Sequence, residues 1–80
     1  MRYKVDIRMK RGSPLLSVFS SLSVPDCGTP GKTDEEAKRR ARAKARETEK
    51  ETGGQCAKWA LLRVTAIEGD FELVHYEEYE

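Results

Sequence analysis

Three side chains in this sequence have the chemistry for a nucleophilic or metal site: Cys27, Cys56 and the single histidine, His75. Nucleophilic catalysis needs a nucleophile, a base and an orienting group within reach of one another. A cysteine with His75 supplies the first two on paper, but no feature of the sequence brings them together, and 80 residues leave scant volume for a pocket. Structural zinc needs ligands spaced as in CxxC or HxxxH, and neither spacing occurs. The expectation is a chain that is not an enzyme and holds no metal or cofactor. A disulfide between the two cysteines would have to close across an intervening helix, expected over about 34 to 52. Such a helix is roughly 28 Å long, whereas bridged Cα atoms lie roughly 4.4 to 6.8 Å apart. Free thiols in a reducing, intracellular setting are therefore expected.

The segment DCGTPGKT at 26–33 resembles the phosphate-binding loop of P-loop nucleotide hydrolases, with Gly31, Lys32 and Thr33 matching the closing GKT. The match covers eight residues and departs where phosphate would sit. Asp26 replaces the opening glycine and brings a negative charge, and Pro30 removes an N–H donor. The rest of the chain is too short for the parallel sheet such a loop serves, so a turn leading into a capped helix is the preferred reading.

Charge offers more. Fifteen Lys and Arg against 14 Asp and Glu give a net +1, which excludes a strongly basic nucleic-acid binder and an acidic DNA mimic alike. The near-neutral sum hides a segregation: Arg2, Lys4, Arg8, Lys10 and Arg11 crowd the first eleven residues, while after Arg63 there are six acids and no base. The block KRRARAKAR at 38–46 is a second basic candidate, with Arg39, Arg42 and Arg46 among its six cations. Glu35 with Arg39 and Glu36 with Arg40 are favourable i,i+4 pairs, and over 34–51 seven bases meet six acids, so a solvated helix face is the competing reading. The acidic end, DFELVHYEEYE, mixes aromatics with acids, Glu72, Tyr76 and Glu77 among them. That composition suits a basic protein partner, or equally an edge strand guarded by charge.

Positioning these groups falls to four strands and one helix. Residues 2–10 alternate strictly, with Tyr3, Val5, Ile7 and Met9 on one face and Lys4, Asp6, Arg8 and Lys10 on the other. After a Gly12-Ser13-Pro14 turn, a second alternating strand places Leu16, Val18, Leu22 and Val24 on one side and Phe19 among serines on the other. Thr33 with Glu36 reads as a capping box opening the helix, which Gly53 and Gly54 end. Ala37, Ala41, Ala45, Thr48 and Thr52 form its buried stripe, small enough for close packing on a sheet. Residues 57–67 are apolar on both faces and read as a central strand, joined through a turn at Glu68, Gly69 and Asp70 to a last strand over 71–79. A two-residue turn sets Val64 opposite Leu73, a three-residue turn opposite Val74. If Tyr3, Val5, Ile7 and Met9 face the helix, Lys4, Arg8 and Lys10 line an open face, with Trp59 and Arg63 as candidate neighbours. The fold class expected is α+β: one domain over residues 1–80, a ββαββ antiparallel sheet with one helix on one face. The uncharged run at 12–25 is too short and too rich in serine to span a bilayer, so a soluble, unprocessed cytoplasmic protein is expected, monomeric or weakly dimeric.

This layout, an alternating strand, the capped helix TDEEAKRRARAKA and the hairpin WALLRVTAIEGDFELVHY, resembles the small phage-encoded anti-CRISPR proteins that inhibit type I surveillance complexes. The resemblance lies in the order of elements over residues 1–76 and transfers no residue. It implies a non-enzymatic protein that docks on a host nucleoprotein complex and blocks target DNA binding. The candidate contacts, chosen on charge and aromatic content, are Lys4, Arg8, Lys10, Arg39, Arg42, Arg46, Glu72, Tyr76 and Glu77. The alternative is direct DNA or RNA binding through the basic helix or the open sheet face.

Overall fold

The structure, a computed structural model, describes residues 1–13, 16–65 and 70–79. Strands β1 (Arg2–Met9) and β2 (Ser17–Ser23) precede helix α1 (Pro30–Glu51), and β3 (Cys56–Val64) and β4 (Phe71–Glu78) follow it. They form one sheet in the order β2-β1-β3-β4, every neighbouring pair antiparallel, with the helix across one face: the α+β, ββαββ arrangement. No helix among the described residues is long and apolar enough to cross a membrane.

The alternation of β1 becomes the core directly. Tyr3, Val5, Ile7 and Met9 are buried beneath the helix, where they meet Trp59, Leu61 and Cys56 of β3. Ala37, Ala41 and Ala45 are fully buried, flanked by Thr33 and Thr48. These small side chains let the helix lie close, and the large ones from the sheet fill the space below it. Cys27 is exposed and Cys56 buried, both as free thiols.

Four expectations are corrected. The helix begins at Pro30, one turn earlier than the Thr33 capping box implied, with Thr29 as N-cap accepting the Lys32 N–H. Proline at the first helical position has the required φ and no N–H to leave unpaired, so the start belongs there. Thr33, one turn inside, is buried, and its hydroxyl accepts the Cys27 N–H at 3.1 Å. Neither turn length for the β3–β4 hairpin is met: Val64 pairs with Phe71, the Thr65 N–H donates to the Asp70 carbonyl, and a bulge separates Leu62↔Leu73 from Leu61↔His75. The residues expected at the turn itself, Glu68 and Gly69, and Pro14 of the first turn, lie outside the described residues.

Trp59 and Arg63 sit opposite Ile7 and Tyr3, on the helix side of the sheet rather than on the open face. A second irregularity, where Arg8 pairs with Lys58 but Met9 with Cys56, turns both Cys56 and Trp59 inward despite their odd separation. Leu16, expected on the inner side of the second strand, precedes β2 and is 85% exposed.

Candidate functional site

The phosphate-loop resemblance does not survive the local geometry. Backbone donors that would cradle a phosphate serve the turn itself: Gly28 N–H goes to Asp26 Oδ1 (2.9 Å), Cys27 N–H to Thr33 Oγ1, and Thr33 N–H to the Thr29 carbonyl (3.1 Å). The Thr33 hydroxyl, which would hold magnesium, points into the protein. Cys56 is a poor nucleophile, because burial first, and then the neighbouring Glu49, pushes its thiol above the usual range. His75 is engaged by Glu77 at 3.0 Å and by the ring of Trp59, 5.4 Å away. Among the described residues no group of three His, Cys, Asp or Glu side chains could hold a metal ion.

The helix block is largely occupied with its own neighbours. Lys38 pairs with Glu35 at 3.0 Å, Arg39 and Arg40 both pair with Glu36 at 2.7 and 2.9 Å, and Arg42 pairs with Glu77 at 2.8 Å. Glu36, clasped by the two guanidinium groups, is held down at about 2. Of the block, only Lys44 and Arg46 form no salt bridge among the described residues. The acids expected to meet a partner are similarly engaged: Glu72 accepts from Arg63 at 2.8 Å, and Glu77 from Arg42 and His75. Arg63 in turn bonds Asp34 of the helix, which also accepts the Tyr3 hydroxyl at 2.7 Å. Burial first, and then Asp34, pushes Tyr3 up to about 12.

Further cations without an acid partner lie on the other side of the sheet, beside exposed rings. Because side chains alternate, the face away from the helix is built from Arg2, Lys4, Asp6 and Arg8 of β1, Phe19 and Ser21 of β2, Lys58 and Leu62 of β3, and residues of β4. The bulge at Val74 changes the parity of β4. Phe71 and Leu73 before it and Tyr76 after it all face outward, while His75 and Glu77 face the helix side and Val74 packs against the core. Four large apolar side chains are therefore exposed on one surface: Phe19 (51%), Phe71 (44%), Leu73 (62%) and Tyr76 (46%).

Cations lie among these rings. Lys4 donates to Ser21 Oγ at 2.6 Å, and its ammonium stands 5.6 Å from the centre of the Phe19 ring. Arg8 is tied to Asp6 at 3.1 Å, and the second acid of the face, Glu78, accepts the Tyr76 hydroxyl. Arg2 and Lys58 have no side-chain partner among the described residues, and Lys10 lies just beyond the end of β1, its backbone N–H on the Gln55 carbonyl. Phe19 and Phe71, from the two edge strands, lean across β1 and β3 to meet edge to face at 6.1 Å. Beside them is a hollow of about 350 Å³ lined by Arg2, Lys4, Ser21, Ser23 and Val64. The nine candidates thus divide: Lys4, Arg8 and Tyr76 share the open face with Lys10 at its end, Arg39, Arg42 and Arg46 are on the helix, and Glu72 and Glu77 are bound internally. Phe19 and Phe71 were missed. The sequence marked Phe19 as facing away from the core, but the strand order that brings it to Phe71 has no local signature.

Comparison with protein families, with curated proteins and with solved structures finds no match for this chain.

Proposed function

We propose that the protein is a non-enzymatic binding module that engages nucleic acid, free or within a nucleoprotein, through the open face of its sheet. The observation that carries this is the placement of exposed rings beside cations with no acid partner: Phe19, Phe71 and Tyr76 with Arg2, Lys4 and Lys58 on one uncovered surface. Cations supply sequence-independent attraction to phosphate, and aromatic faces supply contact with bases. The helix block is the weaker candidate, since four of its cations are already in ion pairs.

Fluorescence anisotropy with labelled oligonucleotides over a salt series tests the reading. Binding should weaken steeply with salt, fall at least tenfold in Lys4→Glu/Lys58→Glu, and stay within about twofold in Lys44→Glu/Arg46→Glu. Equal loss in both double variants would move the site to the helix, and no binding at low salt would overturn the proposal.

Docking on the protein part of a host nucleoprotein, as the anti-CRISPR resemblance implies, is the second reading. The exposed Leu73 favours it, because an aliphatic side chain suits a protein patch better than a nucleotide. Its mark would be a purified protein partner bound after nuclease treatment and released by Leu73→Glu.

A further inference from the structure

We propose that the hollow beside Phe19 and Phe71 seats one unpaired nucleobase, so that the ligand of the open face is single-stranded rather than duplex nucleic acid. This rests on the nucleic-acid reading above and narrows it to a strand state and a place. The two rings meet at an interplanar angle of 74°, so neither is stacked flat on the other. An edge-to-face contact uses the face of only one ring, and both side chains stay about half exposed, so aromatic surface is left for a planar guest, and an aromatic face accepts any base. The hollow, at about 350 Å³, is within the lower range of small-ligand sites. Its rim carries the charge a nucleotide needs: Lys4 is braced by Ser21 and over Phe19, and Arg2 has no competing partner among the described residues.

Duplex fits poorly. Three inter-strand spacings of about 4.8 Å put the edge strands about 14 Å apart, wider than the major groove at about 12 Å, which takes a helix or a two-stranded ribbon. In a duplex the base faces are also covered by their neighbours, so Phe19 and Phe71 would meet only phosphate. A second copy of this chain is disfavoured as occupant, because the strands of this face carry four cations, Arg2, Lys4, Arg8 and Lys58, against two acids, Asp6 and Glu78, so two copies would bring surfaces of the same net charge together.

The test uses the full chain and three labelled 12-mers of one mixed sequence: single-stranded DNA, single-stranded RNA and duplex DNA. Expected are binding of at least one single strand tenfold or more tighter than duplex, and loss of that binding by roughly tenfold to a hundredfold in Phe19→Ala/Phe71→Ala. Phe19→Tyr/Phe71→Tyr should retain it. Both rings are exposed, and an unchanged thermal melt would verify that the variants fold. The relative affinity of the two single strands identifies the source. Equal affinity for single strand and duplex, indifferent to both rings, overturns the base seat while leaving the nucleic-acid reading intact. Absence of binding to all three ligands overturns both, as does self-association that the alanine variant abolishes when no oligonucleotide binds.

Discussion

Arg42 of the helix donates through Nε and Nη2 to a single oxygen of Glu77 on the edge strand, at 3.1 and 2.8 Å, and His75 approaches the same oxygen at 3.0 Å. The Arg42 guanidinium, followed by His75, holds the Glu77 carboxyl below its usual range, and Glu36 is likewise held at about 2. A carboxylate depressed in the folded state contributes stability that is fully present above its unfolded pKa of 4.5 and is lost as pH falls through the folded value. The melting temperature should therefore drop between pH 4.5 and about 2. Glu77→Gln and Glu36→Gln should each flatten that drop, and added salt should shrink the difference, because both pairs are near the surface. A melt series unchanged by either substitution would contradict this.

Trp59 and Phe19 separate core from working surface. Trp59 is 1% exposed beneath the helix, and Trp59→Ala should cost about 3–5 kcal/mol in urea unfolding. Phe19→Ala removes a ring that is 51% exposed and should cost about 0.5 kcal/mol or less. Comparable losses at the two positions would mean that the open face contributes to folding rather than to binding.

Tyr3 should give the chain an alkaline weakness. Its folded value of about 12 lies above the ordinary 10.0, so the stability it confers is complete below pH 10 and declines as pH rises toward 12. Ultraviolet titration should find phenolate appearing late, since Tyr76 and Tyr79 are also raised, through Glu78 and burial respectively. Tyr3→Phe leaves Asp34 with Arg63 alone and should cost about 1.5–3 kcal/mol at neutral pH, as for a hydrogen bond to a charged group. Its stability should then be flatter in alkali than that of the parent.

The position of the helix start is open to a paired substitution. Thr29→Ala removes the N-cap oxygen and should cost about 1 kcal/mol. Thr33→Ala should cost at least as much for a different reason, because it leaves the Cys27 N–H without its acceptor and a gap in a buried position. Amide exchange distinguishes them: Thr29→Ala should speed exchange at Lys32, and Thr33→Ala at Cys27.

Much of this fold could be read from residue order. The strict alternation of Tyr3, Val5, Ile7 and Met9 admits one strand orientation, and the alanines at 37, 41 and 45 admit one helix face. Thr33 and Glu36 spell a capping box, yet the helix starts one turn earlier, where the Thr29 side chain accepts the Lys32 N–H and Pro30 has no N–H to satisfy. Trp59 and Arg63 are assignable to either face from sequence, since β3 is apolar on both sides and carries an extra residue between Cys56 and Lys58 where it pairs with β1. The partners of Arg42, Arg63 and Lys4 depend on which strands are neighbours, and that is a property of topology rather than of any local pattern.

The inserted residue at Val74 acts as a half-period phase jump within a single strand. In a strand of uniform alternation Phe71 and Glu77, six positions apart, would share a face: the chain could aim Phe71 at Phe19 or Glu77 at Arg42, never both. One extra residue removes that choice, so the tether to the helix and the outward aromatic pair can coexist on eight residues of sheet edge. Deleting Val74 would not trim a loop; it would force one function of the strand to be given up to keep the other.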